Sequence, residues 1–271
     1  MELRPAYSAP FAPDALESIP SIRPLEDITP EWAWGGSTAR GVKVAVIDSG
    51  IDADHSAIGG TLAGYVNVIN SAQGVEFDAA PHTDDFGHGT ACGGIIRSIA
   101  PDAELYSIKV LHERTPSSGY VFSAGLKWAI DNNMQVCNLS LGTTKRDYYA
   151  VLHELADEAY FRNVMLITAA NNMAEPSYPS VYASVIAVGA HAVQNPELLY
   201  YNPRPPVEFG ALGIGVRVAW RHGGWLTATG NSFAAPHVAG LVARILGKHP
   251  RLTVFQIKMV LRALAGNLTR D

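Results

Sequence analysis

Gly41-Val42-Lys43-Val44-Ala45-Val46-Ile47-Asp48 is an apolar run interrupted by one lysine and closed by an aspartate. Its length and its valine and isoleucine content suit a strand covered on both faces, the kind found inside a parallel sheet. Further short apolar runs follow at 105–111, 136–140, 164–169 and 185–190, and helical stretches lie between and after them at 89–99, 118–132, 150–162, 232–248 and 253–265. Strand alternating with helix predicts an α/β fold: a mostly parallel, doubly wound sheet with helices on both faces and right-handed crossovers, in a single domain. In such sheets reactive groups gather beyond the carboxyl ends of the strands, where the strand order reverses. Asp48 and the segment 140–142 stand at such ends.

With 271 residues, 48% hydrophobic and 17% charged, the chain can fill one domain of this type. Residues 1–30 carry Pro5, Pro10, Pro13, Pro20, Pro24 and Pro30 and little periodicity, so they read as an extended arm ahead of a domain at 31–271. A net charge of −5 and a pI near 6.0 argue against nucleic acid or an anionic membrane as partner, because both require concentrated positive charge. No apolar stretch approaches the roughly 20 residues of a spanning helix. The start Met1-Glu2-Leu3-Arg4-Pro5 lacks the pattern of a secretory signal. Cys92 and Cys137 lie in apolar segments and read as buried free thiols in a reducing compartment, which makes the cytoplasm the expected location.

Three segments carry chemistry: Val44-Ala-Val-Ile-Asp48-Ser-Gly-Ile-Asp52, Phe86-Gly-His88-Gly-Thr-Ala-Cys92 and Gly230-Asn-Ser232-Phe-Ala-Ala-Pro236-His237. They place an acid, a base and a hydroxyl in that order along the chain. A hydroxyl attacks a peptide carbonyl well only when a base takes its proton, and an imidazole titrating near neutrality does this when a carboxylate orients it. Each residue alone has an ordinary explanation: a strand-ending aspartate, a glycine-flanked turn histidine, a serine at a helix start. Their conjunction, together with Asn172 after the run 164–169, points to a serine peptidase.

In all three segments, and from about residue 41 to 261, the chain resembles the subtilisin-like serine protease family. The order Asp, His, Ser is that family's order. The resemblance implies Ser232 as nucleophile, His88 as general base and then acid, Asp48 as its orienting carboxylate and Asn172 as oxyanion donor. Asn138-Leu-Ser140-Leu-Gly142 looks like the family's substrate-binding strand, with 112–119 on the other side of an extended protein or peptide substrate. Ser140 to Gly142 would pair with the substrate backbone, and the primary pocket would be walled by Leu141, Gly142, Ala169, Ala170 and Asn171, with Ser177 near the base. The family usually has glycine where Asn171 and Ser177 stand, so a narrower and more polar pocket is expected. Glu175 would favour a basic side chain if it faces the pocket.

The chain departs from the family in other places. The loop that usually wraps a tight calcium ion has no room between the His88 motif and 105–111, so no cofactor is expected there, and a weak calcium site elsewhere stays open. Asn231 and Phe233 flank the serine where threonine and methionine are common. Two rival functions remain: a metal-dependent hydrolase using His82, Asp84, Asp85 and His88 with Asp52, Asp54 and His55, and a silent peptide-binding scaffold. A peptide amine in place of water as acyl acceptor, and a dedicated precursor or effector as partner, are equally compatible with these residues.

Overall fold

In the computed structural model the described residues are 27–113 and 118–268. The arm up to residue 26 and residues 114–117 of the expected substrate segment lie outside them. The strands are β1 Lys43–Asp48, β2 Gly64–Ser71, β3 Gly74–Asp78, β4 Glu104–Lys109, β5 Val136–Leu139, β6 Met165–Ala169, β7 Ile186–His191, β8 Tyr200–Tyr201 and β9 Phe209–Leu212. They form a 9-stranded sheet in the order β3-β2-β4-β1-β5-β6-β7-β9-β8. From β2 to β9 neighbouring strands pair in parallel, and only the edges β3 and β8 run antiparallel. The sheet is thus mostly parallel, as expected. A separate antiparallel hairpin joins β10 Val216–Trp220 to β11 Gly224–Ala228.

The helices are α1 Pro30–Trp34, α2 His88–Ile99, α3 Gly119–Asp131, α4 Tyr149–Phe161, α5 Asn231–Lys248 and α6 Val254–Ala263. They divide between the two faces. Val44 and Val46 of β1 join the core that includes α1, α2, α5 and α6, while Ala45 and Ile47 join the core under α3 and α4. Alternate side chains of one strand are therefore buried on opposite faces, which is why β1 reads as a nearly continuous apolar run. Burying a side chain such as Ile47 or Leu105 completely contributes roughly 1.5–3 kcal/mol.

The chain crosses the sheet in a way that matters for chemistry. From β1 it travels to β2 and back to β4 on one side, then through α3 to β5 on the other side. The strand order reverses at β1, and Asp48 is its last residue. Every expected strand and helix is present, with bounds shifted by a residue or two. The edge strands β3 and β8, their neighbours β2 and β9, and the β10–β11 hairpin were not anticipated.

Candidate active site

Asp48 is fully buried, and His88 opens α2 with its side chain about 24% exposed. His88 Nδ1 lies 2.9 Å from both carboxylate oxygens of Asp48. A glycine is required at 89 for this approach, because a Cβ there would run into the Gly50 carbonyl and the Asp48 side chain. Burial opposes charge on the imidazole, but the Asp48 charge, its hydrogen bond and the charge of Asp84 outweigh it, so the His88 pKa is raised.

Behind this pair sits Asp84, which sequence reasoning considered only as a metal ligand. Its Oδ1 accepts from Ser49 Oγ (2.7 Å), Phe86 N (3.0 Å) and Gly87 N (2.8 Å), and its Oδ2 accepts from Thr90 N and Thr90 Oγ1, both at 2.7 Å. The N-cap position of α2 is Gly87, which has no side chain to cap with. Asp84 caps the helix from three residues earlier, placing negative charge at the positive end of the dipole. Ser49 Oγ accepts from Gly89 N at 3.1 Å and completes the seat of the first turn. The available signal was an acidic residue just ahead of a helix start.

Ser232 lies in the first turn of α5, where backbone N–H groups lack intrahelical partners. Its carbonyl oxygen accepts from Ser140 Oγ at 2.8 Å, and Ser140 Oγ in turn accepts from Asn138 Nδ2 at 2.9 Å. A Cβ placed on Gly230 would meet Ser232 Oγ at 3.3 Å and Asn172 Nδ2 at 3.5 Å. The hydroxyl and the carboxamide therefore flank one point that only a glycine leaves open. Asn172 Oδ1 accepts from Asn231 N at 2.9 Å, which leaves Nδ2 to serve an oxyanion. The Phe233 ring lies 5.5 Å from the His88 ring, centroid to centroid. Ser232 and His88 make no hydrogen bond in this unliganded geometry, as is common before substrate closes an active site.

One cavity of about 160 Å³ joins the nucleophile to the expected pocket. Ser140, Leu141, Gly142, Ala169, Ala170, Asn171 and Ser177 line it with Asn172 and Ser232, and Thr144 joins them unanticipated. Hollows of about 570 and 530 Å³ lie elsewhere, lined by none of these residues. Ser180 Oγ donates to Ser177 O (2.9 Å), so in the 3.0 Å contact between the two hydroxyls Ser177 is the donor. With its proton spent, Ser177 offers the cavity only lone pairs. Glu175 is held beside the rim by Asn171 Nδ2 at 3.4 Å.

Among the described residues those proposed for a metal, His88 apart, do not converge on one point, and several are engaged elsewhere. His82 bonds Ser107, Asp85 pairs with Lys109, Asp84 is saturated, and His55 bridges Gly224 O and Ala57 N. Among the described residues the one convergent set is Asp48, His88 and Cys92. Burial and the charge of Asp48 push the Cys92 thiol well up, so it stays protonated at neutral pH. His237 is buried, bonded to Phe233 O at 2.8 Å and pushed down to about 4 mainly by desolvation, the behaviour of a structural histidine.

Comparison with known proteins agrees with this architecture. The family model for the subtilase family matches residues 39–271. The minor extracellular protease Epr of Bacillus subtilis strain 168 is 33% identical over 88% of this chain and 37% of its own length. Subtilisin E from the same strain is 35% identical over 86% of this chain and 62% of its own, and subtilisin of Bacillus pumilus 34% identical over 86% of each. The chain thus spans less than two thirds of Epr and of subtilisin E. The crystal structure of a cold adapted subtilisin-like serine proteinase superposes with a TM-score of 0.69 at 26% identity, covering 84% of this chain and 83% of that one. With the fold, the order of its three reactive segments and these likenesses in agreement, the chain belongs to the subtilase family.

Proposed function

We propose that the chain is a serine endopeptidase acting through an acyl-enzyme on Ser232. The observation that carries this reading is the Asp48–His88 pair at the point where the strand order reverses, facing the edge where Ser232 and Asn172 share one cavity. His88 donates its Nδ1 proton to Asp48, which leaves Nε2 to take the proton of Ser232 as Oγ attacks the scissile carbonyl. Asn172 Nδ2 and the backbone N–H of Ser232 at the start of α5 stabilise the resulting oxyanion. His88 then passes its proton to the leaving amine, and a water activated by the same imidazole releases the acid.

The cavity beside Ser232 takes the side chain that precedes the scissile bond. Its small volume and the lone pairs of Ser177 favour a short side chain that carries a hydrogen-bond donor. A calcium ion does not fit between α2 and β4. Arg97 Nη1 donates to Pro101 O (2.7 Å) and Ala103 O (2.9 Å) and Nη2 to Thr61 O (3.1 Å), so the local carbonyls already face a fixed positive charge. For location we assign the reducing cytoplasm, supported by two buried free cysteines, and activity recovered outside cells would overturn that assignment. Among the described residues no helix is long and apolar enough to cross a membrane.

The decisive experiment is stoichiometric labelling by a fluorophosphonate. Label on Ser232, lost in Ser232→Ala together with peptide hydrolysis, is the expected result. Hydrolysis that ignores the reagent and ends with a chelator would return the metal-dependent rival, and an unlabelled, inactive protein the scaffold. Cleavage of a proteome-derived peptide library then separates broad turnover from one dedicated precursor.

A further inference from the structure

Asn231, the residue before the nucleophile, has every polar side-chain group engaged, and each engagement reaches a different part of the site. Its Nδ2 donates to the carbonyl oxygens of Ala170 (3.2 Å) and Asn171 (3.0 Å). Its Oδ1 accepts from the N–H of Ala190 at 2.9 Å, and its own backbone N–H donates to Asn172 Oδ1 at 2.9 Å. Three elements are thereby tied at one point: the chain leaving β6, the end of β7 and the first turn of α5. A threonine, the common residue here in the family, has one hydroxyl proton and cannot serve both carbonyls.

The two residues bracketing this clamp matter for the chemistry. Ser232 follows Asn231 directly, and Asn172 follows the two carbonyls it holds. Asn172 is itself an exposed loop residue, and the bond its Oδ1 accepts from Asn231 N is what orients its carboxamide. An oxyanion donor is useful only if it stands in place before charge develops, since a donor that must be ordered during the reaction returns part of its benefit as entropy.

Resting on the peptidase reading above, we propose that Asn231 is a positioning residue of the reaction, whose carboxamide fixes the Asn172 donor relative to the Ser232 hydroxyl. It touches no substrate and acts through Asn172. Among aspartate, alanine and asparagine only the amide serves both carbonyls, because aspartate would turn a carboxylate oxygen toward Ala170 and Asn171 and alanine would release both.

The test is a double-mutant cycle on a chromogenic peptide substrate, reading kcat and KM separately. Asn231→Ala is expected to lower kcat about 10- to 100-fold with KM nearly unchanged, Asn231→Asp more, and Asn231→Thr less. Added to Asn172→Ala, the same Asn231→Ala change is expected to cost roughly threefold or less, because the donor it positions is already gone. Independent, multiplying losses, or a rise in KM with kcat intact, would overturn the assignment. Where Asn231→Ala does not fold, Asn231→Thr in both backgrounds decides the same question. A wild-type chain that neither hydrolyses peptide nor takes the fluorophosphonate overturns the peptidase reading itself, whereas multiplying losses in an active enzyme overturn only the role of Asn231.

Discussion

Asp48 and His88 stand in a buried, charged lattice, whereas Ser232 and Asn172 stand on neutral, half-open ground. The first pair is backed by Asp84, whose five accepted hydrogen bonds seat the start of α2. In the second pair, Asn172 accepts from the backbone N–H of Asn231, whose carboxamide holds the carbonyls of Ala170 and Asn171, the Ser232 carbonyl accepts from Ser140, and Gly230 brings no side chain between them. The proton-handling half is complete without substrate, because its charges would be costly to bury unpaired. The attacking half keeps donors free, because its partner is charge that exists only while the reaction proceeds.

Breaking the charged half has the largest expected effect. Asp48→Asn keeps the shape of the side chain but removes the charge and the tautomer control, and kcat is expected to fall about 10⁴-fold. In the wild type the raised His88 pKa places the acid limb of kcat/KM above the ordinary histidine value near 6.5, and the substitution moves that limb to lower pH. The sign for stability is opposite. The imidazolium–Asp48 pair stabilises the fold fully below the unfolded pKa, and that contribution is lost as pH rises through the raised folded value. Activity is thus gained and stability lost across the same window, which paired pH profiles of kcat/KM and Tm would check.

The neutral half should yield less. Asn172→Ala removes a single donor and is expected to lower kcat by about 10² to 10³ with little change in KM, read from steady-state kinetics. A loss as large as that of Asp48→Asn would erase the contrast between the halves.

How much of this was legible beforehand depends on burial. β1, β5 and β6 could be read because both faces are covered, so their residues are apolar throughout most of their length. β2 and β3 escaped because Asn67, Asn70, Glu76 and Asp78 break the run at a half-open edge. The β10–β11 hairpin did carry a signal, Val216-Arg217-Val218 alternating ahead of a turn at His222-Gly223, but it lies away from the helix-strand rhythm of the rest of the chain. The triad positions were legible because the chemistry demands those residue types. Asp84 carried only the weak signal of an acid ahead of a helix start, and the partners of Asn231 could not be read at all, because folding brings them together from distant parts of the chain.

Two smaller effects extend the comparison beyond the cleft. Arg97→Met strips three carbonyls of their donor, and a loss of about 1–3 kcal/mol is expected, or roughly 2–4 °C in Tm for each kcal/mol. A chelator should shift Tm equally, if at all, in both proteins, and a calcium-dependent Tm that Arg97→Met alters would reverse the account of that segment. Phe233→Met should change turnover least but make the enzyme sensitive to peroxide, since a thioether would then sit against the His88 ring. Equal inactivation of both proteins by peroxide would show that oxidation strikes elsewhere.

The nucleophile rides on α5, whose residues 233–243 are buried without a break between the sheet and α2. That helix is drawn from the last fifth of the sequence, while the acid and the base come from the first third. The acid and the base therefore precede the hydroxyl along the chain, and the site is complete only when this closing helix is packed into the interior. On the peptidase reading, competence to cut is in this way tied to completion of the core.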